Sequence, residues 1–219
     1  MQKLEVKAVL FDFDGTLIDS MRVIHKVLNQ TLEDYGLPKI KPNLLGEMAG
    51  QPLTTILKKA VKKRVNELTL EKVREKFYRR YLDISLKKCR PFPEVKDILK
   101  YLYLKNFRLA VVTSTPRKPV LRDLQRFNLK KYFDVIITRE DVKNSKPSPE
   151  VIVKALKRLK MEGSEAVIVG DSPMDIKAGK AAGTKTVAVV TGLCGKRRLA
   201  KEKPDFILKN LSELRRILA

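Results

Sequence analysis

Histidine occurs once in the 219 residues, at His25, and cysteine only twice, at Cys89 and Cys194. Zinc sites want clustered Cys and His, so one histidine and two distant thiols without ligand spacing make zinc a poor candidate. The same scarcity gives no disulfide framework and fits a reducing interior. With only 10 Gly and 11 Pro, the chain is neither collagen-like nor of low complexity. Long hydrophobic runs are missing too. Ala8–Phe11, Ala166–Val169 and Val187–Val190 fall far short of the ~18 residues that a membrane span needs. The first residues, Met-Gln-Lys-Leu-Glu-Val-Lys, run straight into a strand-like segment, with no signal-peptide pattern. These absences predict a soluble, folded, cytoplasmic protein.

Acidic residues are the minority: 25 Asp+Glu against 47 Lys+Arg leave a net charge of +22. A charge that large attracts polyanions, which makes nucleic acid a candidate partner. The basic residues are scattered along amphipathic stretches, however, and are not gathered beside stacking aromatics. A solvated Lys-rich surface that steers anionic substrates accounts better for that pattern, and nucleic acid is disfavoured. Glutamine is scarce (Gln2, Gln30, Gln51, Gln125), which fits a thermophilic proteome. With 43% hydrophobic and 33% charged residues, the chain can bury a real core. Its length suits one large domain, or one domain carrying a smaller insertion.

The chain opens with an apolar strand pattern, Lys7-Ala-Val-Leu-Phe-Asp-Phe-Asp14, punctuated by Gly15-Thr16. From about Asp19 to Lys88 the pattern is helical. Ile24, Val27, Leu28, Leu32 and Tyr35 mark one apolar face, with Gly36 as a stop. Leu53, Ile56, Leu57, Ala60 and Val61 mark a second, and Leu70, Val73, Phe77, Tyr81 and Ile84 a third. This reads as a helical bundle inserted after the first strand and closed by Pro91-Phe-Pro93. Beyond it, strands are expected at Leu109–Thr113, Val135–Thr138, Ala166–Gly170, Thr186–Val190 and Asp205–Leu208. Helices are expected at Val95–Leu104, Lys118–Phe127, Pro149–Leu159, Met174–Ala181 and Ser212–Leu218. Alternating apolar strands and helices predict an α/β fold, a doubly wound parallel sheet covered on both faces. The expected domains are a core of residues 1–18 and 90–219 and an α-helical cap of residues 19–89.

In such sheets the site lies beyond the carboxyl ends of the strands. Asp12 and Asp14 end the first strand, Thr113 and Ser114 the second, and Asp171 the fourth; Lys146 falls in a loop on the same side. A carboxylate is a competent nucleophile toward phosphorus and gives an aspartyl-phosphate. A divalent cation must then screen the like charges, and acidic side chains suit Mg²⁺. One Asp of the first pair attacks while the other protonates the leaving oxygen and later activates water. A hydroxyl and an ammonium hold the equatorial oxygens. Asp171 is available to the metal, with Asp175 one helical turn further on.

Asp12-Phe-Asp-Gly-Thr-Leu17, Val111-Val-Thr113, Lys146-Pro-Ser-Pro-Glu150 and Gly170-Asp-Ser-Pro-Met-Asp175 resemble, in order, the four signatures of the haloacid dehalogenase superfamily. The insertion resembles the C1-type cap of its phosphoglycolate phosphatase-like branch, as does the helix Ile176–Gly183. The resemblance implies Asp12 as nucleophile and metal ligand, and Asp14 as acid/base lending its backbone carbonyl to Mg²⁺. It implies that Thr113 and Lys146 bind the phosphoryl group, that Asp171 completes the metal site and that Asp175 supports it. True dehalogenases of the superfamily lack the second Asp of the first motif, so Asp14 favours a phosphatase. Two positions depart from the pattern: Ser114, expected with Thr113 and Lys146 to bind substrate, stands where Asn is common, and Glu94 where Gly is common.

Plainer readings stand beside these. Asp12 and Asp14 could cap a turn, Asp175 could bind first-turn amides, Lys146 could be an exposed loop lysine, and His25 could belong to cap packing. Gly46 and Gly50-Gln-Pro-Leu53 read as a cap loop facing the site, and Lys196-Arg-Arg198 as a solvated basic loop. The expected activity is a Mg²⁺-dependent phosphatase acting on a small phosphorylated metabolite, with phosphoglycolate first by analogy. Inorganic pyrophosphatase, a β-phosphoglucomutase-like phosphomutase and a basic nucleic-acid-binding protein are the alternatives. Monomer and homodimer both remain open.

Overall fold

The computed structural model describes residues 3–61 and 65–218; residues 1–2 and 219 of the expected core lie outside them. Strand β1 (Ala8–Phe11) is buried at every residue. Its side chains alternate, Val9 and Phe11 entering one apolar cluster and Ala8 and Leu10 another. A strand apolar on both faces needs cover on both faces.

After β1 come the short strand β2 (Ile18–Asp19) and four helices: α1 (Met21–Glu33), α2 (Pro42–Met48), α3 (Leu53–Val61) and α4 (Glu67–Lys88). Strand β3 (Arg90–Pro91) then pairs antiparallel with β2, so the helical insertion leaves and returns through a two-stranded ribbon. Helix α4 turns a stripe of Leu70, Val73, Phe77, Tyr81 and Ser85 inward at helical spacing. Its start is capped by Asn66, whose side chain accepts from the Thr69 amide at 2.9 Å. Asp34, just beyond α1, pairs with Lys76 at 2.8 Å and Arg80 at 2.9 Å on α4.

The rest alternates: α5 (Val95–Leu104), β4 (Arg108–Val112), α6 (Arg117–Arg126), β5 (Val135–Ile137), α7 (Glu150–Leu159), β6 (Ala166–Gly170), α8 (Pro173–Ala181), β7 (Lys185–Val189), α9 (Lys196–Ala200), β8 (Phe206–Leu208) and α10 (Leu214–Ile217). The six long-sheet strands lie in the order β5-β4-β1-β6-β7-β8 and every neighbouring pair is parallel. This is the doubly wound α/β sheet with a helical insertion that the alternation predicts.

Three local readings need correction. Gly46 lies inside α2, not in a loop, because the helix packs so closely that a Cβ there would meet the Leu193 carbonyl carbon at 2.6 Å. Lys196-Arg-Arg198 opens α9, which buries Leu199 and carries an Arg198–Glu202 pair at 2.6 Å. The expected helix Ser212–Leu218 is a 3₁₀ turn, Leu211–Glu213, followed by α10; Asn210 caps the turn through the Ser212 amide.

Candidate active site

The sheet delivers the site. The Asp12 amide donates to the Val169 carbonyl at 2.9 Å, extending the parallel ladder one residue beyond β1. Phe11 is in register with Val111 and Val169, and Thr113 and Asp171 lie two residues beyond those partners. All three therefore stand on one rim. β4 and β5 lie on one side of β1 and β6 to β8 on the other, so this rim is the topological switch point where such folds open a crevice.

Lys146 comes in from the loop after β5 and is 1% exposed, which corrects the exposed-loop reading. Its Nζ donates to Asp12 Oδ1 at 2.7 Å and to Asp175 Oδ1 at 2.5 Å. Asp175 is fixed from its other oxygen. Oδ2 accepts from the Ser172 amide at 3.1 Å and the Ser172 hydroxyl at 2.5 Å, a capping box at the start of α8. Asp171 Oδ1 accepts from the Thr16 hydroxyl at 3.3 Å, while its Oδ2 is buried with no hydrogen-bond partner. Gly15 turns the chain beside it with φ of +82°, where a Cβ would meet that oxygen at 2.4 Å.

Burial pushes the Asp12 carboxyl up to about 7; Lys146 opposes that rise and Asp175 adds to it. Burial likewise raises Asp171 well above the carboxylate range, helped by Asp12 and Asp175. For Lys146, burial opposes the charge, yet Asp12 and Asp175 hold the ammonium above its usual range. Oxygens of Asp12, Asp171 and Asp175 lie within 4.8 Å of one another. Two of the three buried carboxylates thus share one ammonium, and one oxygen of the third is left unpartnered. The donor set is all oxygen, and a hard cation such as Mg²⁺ fits it.

A model of the haloacid dehalogenase-like hydrolases matches residues 9–189. The chain belongs to that family. A phosphoglycolate phosphatase of Aquifex aeolicus is 35% identical over 213 residues, covering 97% of each chain. Pyrophosphatase PpaX of Halalkalibacterium halodurans is 34% identical over 212 residues, covering 96% of each. A crystal structure described as a predicted phosphoglycolate phosphatase from Haemophilus somnus superposes with a TM-score of 0.86, at 25% identity, over 97% of this chain and 98% of that one.

Within this haloacid dehalogenase-like hydrolase, the Asp14 carboxylate stands apart from the acidic cluster. Its Oδ1 accepts from the Ser20 hydroxyl at 2.5 Å and from the Tyr81 hydroxyl at 3.4 Å; its Oδ2 accepts from the Thr115 hydroxyl. Burial raises its pKa, and the Ser20, Thr115 and Tyr81 hydroxyls hold the rise back. The Asp14 side chain is therefore not part of the Asp12, Asp171 and Asp175 cluster. Thr113 is buried, and its hydroxyl accepts from the Thr115 amide at 3.1 Å. Ser114 differs from the reading that gives its hydroxyl to substrate. It lines the cleft, but its hydroxyl donates to the Gly50 carbonyl of the helical insertion at 2.6 Å. His25 bonds the Ile40 carbonyl at 2.7 Å and Asn29, away from the acidic cluster.

Ser20, Thr115, Tyr81 and Ser172 were not singled out from sequence. Ser172-Pro-Met-Asp175 carried a legible capping-box signal. Thr115 stood two residues past Thr113 without a signal of its own, and Tyr81 was absorbed into an apolar helical stripe. No described helix is long and apolar enough to cross a membrane.

Proposed function

We propose that this chain is a Mg²⁺-dependent phosphatase that hydrolyses a small phosphate monoester through an aspartyl-phosphate on Asp12. In this reading, residues 1–18 and 90–219 are the catalytic core and residues 19–89 a cap. One observation carries it: a buried rim on which Lys146 bridges Asp12 and Asp175 while Asp171 keeps an unpartnered oxygen, with Asp14 held separately. That division supports two different carboxylate jobs, one in the charged cluster and one outside it.

Asp12 attacks phosphorus, and the bond from phosphorus to the leaving oxygen breaks. Its electron pair goes to that oxygen, which takes the Asp14 proton. Burial favours a protonated Asp14 for this step. Asp14, now ionised, takes a proton from water as the water oxygen attacks the phosphorus; the bond from phosphorus to the Asp12 carboxylate oxygen breaks, its electron pair returns to Asp12, and phosphate leaves. Lys146 and Thr113 hold the phosphoryl oxygens and offset charge in the transition state. Asp12, Asp171, Asp175 and the Asp14 carbonyl would hold Mg²⁺, which supplies the screening that lets a carboxylate approach a phosphate dianion.

The relatives' names make phosphoglycolate and inorganic pyrophosphate the substrates to assay first. The test is phosphate release from a panel of esters and pyrophosphate, with Mg²⁺ and with chelator, by wild type and Asp12→Asn. Mg²⁺-dependent release that disappears in Asp12→Asn is expected. Release that survives the substitution, or the chelator, contradicts the reading.

A further inference from the structure

Resting on the phosphatase reading, we propose that the leaving group this site accepts is a small, uncharged, largely apolar alcohol. The cleft is a chamber of ≈ 110 Å³ that reaches both Asp12 and Asp14. Its apolar wall includes Ile24, Leu45, Leu53, Ile56 and Phe77, all from the helical insertion. Among the described residues lining it, the only charged ones are Asp12 and Asp14; there is no Lys, Arg or His. The net charge of +22 therefore leaves no described cation on this wall.

The chamber's polar groups are also largely engaged. Ser114 donates to Gly50, Thr115 and Tyr81 donate to Asp14, and the Gln51 amide donates to Met174 sulfur at 3.4 Å. The proton donor to the leaving oxygen is Asp14, so the leaving group must lie on this side. Phosphoglycolate carries a carboxylate one methylene from its ester oxygen, and pyrophosphate carries charge on the leaving oxygens themselves. Either anion would sit unpaired against apolar side chains, where desolvation opposes it.

The nearest guanidinium groups do not rescue it. Arg74 and Arg139 line an adjoining cleft, on the far side of Tyr78 and Ser114 from the Asp12 end. Arg74 bonds Glu71 through Nη2 while its Nε is buried without a partner, Arg139 donates to the Val142 carbonyl at 2.7 Å, and Glu140 shares that cleft.

The decisive comparison is isobutyl phosphate against phosphoglycolate, because the isobutyl group matches the shape of the glycolate carboxylate without its charge. Both are assayed for kcat/KM with Mg²⁺, with pyrophosphate as a third substrate and Asp12→Asn as the control. Wild type is expected to favour isobutyl phosphate by at least about tenfold, the scale on which an unpaired buried polar group discriminates. Ile24→Lys, at a half-buried position on the wall, is expected to erase or reverse that preference by giving the carboxylate a partner. Phosphoglycolate preferred by wild type, or an Ile24→Lys enzyme with unchanged ranking, overturns the chamber inference. The phosphatase reading survives that result as long as release stays Mg²⁺-dependent and lost in Asp12→Asn. No release from any substrate by folded wild type overturns both.

Discussion

The sheet and the helical insertion meet at one cleft but contribute to it by opposite means. From the sheet side come charges held in register: Asp12, Thr113 and Asp171 one step past neighbouring strands, with Lys146 bridging two carboxylates. From the insertion come mostly apolar side chains on α1, α2, α3 and α4, plus the hydroxyls of Ser20 and Tyr81 on Asp14. A parallel sheet fixes the positions of its strand ends through many ladder bonds, so it suits groups that must stay in place during reaction. Helices joined by loops change their inner surface by substituting side chains, so they suit selection among leaving groups. On the proposed reading, the chemistry and the choice of substrate reside in different parts of the molecule.

The largest effect that would sharpen this division is Asp12→Asn. Turnover should fall at least about 10³-fold on every ester alike, while the melting temperature holds or rises, because one of three crowded carboxylates loses its charge. Phosphate release and thermal unfolding read the two halves. A strongly lowered melting temperature would mean that the cluster is structural.

Next come two core truncations that cost similar stability but differ in function. Phe77→Ala, on the chamber wall and stacked on Tyr81 at 5.7 Å, should cost about 3–5 kcal/mol and alter the ester ranking. Leu10→Ala, under the sheet, should cost about 2–5 kcal/mol and leave the ranking alone. Denaturant titration and a substrate panel check both. A changed ranking in Leu10→Ala would break the comparison.

Tyr81→Phe crosses the boundary. It removes one of the insertion's two hydroxyls from Asp14, and a net hydrogen bond of about 0.5–1.5 kcal/mol translates into a fall in kcat of roughly 2- to 13-fold. A change confined to KM would mean that the hydroxyl serves substrate binding instead.

The smallest effect expected is at Glu150, which accepts from the Lys143 amide at 2.9 Å and the Asn144 amide at 2.8 Å in the loop that carries Lys146. The Lys143 and Asn144 backbone bonds, with Lys154, hold its carboxyl down to about 2 from an ordinary 4.5. A depressed folded value contributes stability above about 4.5 that is lost as pH falls toward 2. The melting-temperature gap between wild type and Glu150→Gln should therefore narrow across that window. A gap independent of pH would mean that the carboxylate's charge is not what ties the loop.

The same division separates what was legible in the sequence from what was not. Ala166–Gly170 and Val95–Leu104 match their elements end to end, because continuous apolar runs and a clear helical period leave little choice. β7 is offset by a single residue, Lys185–Val189 against Thr186–Val190. The strand-end acids were legible because a parallel sheet puts every strand end on one rim. Helix α2 was not, since Gly46 reads as a breaker and only its close approach to Leu193 explains it. Tyr81 packs as an apolar residue while its hydroxyl reaches Asp14 from 67 residues away, a contact no local pattern carries. The apolar wall was equally hidden. Its members are ordinary residues of four helices, and their shared absence of charge matters only once they are brought around one cavity.

The most direct test of the central claim is to quench wild-type enzyme with acid during turnover and map phosphoryl groups on its peptides by mass spectrometry. One phosphoryl group on the peptide containing Asp12, absent from Asp12→Asn, is the predicted result. Phosphate release with Asp12 unmodified, or with the phosphoryl group on another residue, would contradict the assignment of Asp12 as nucleophile.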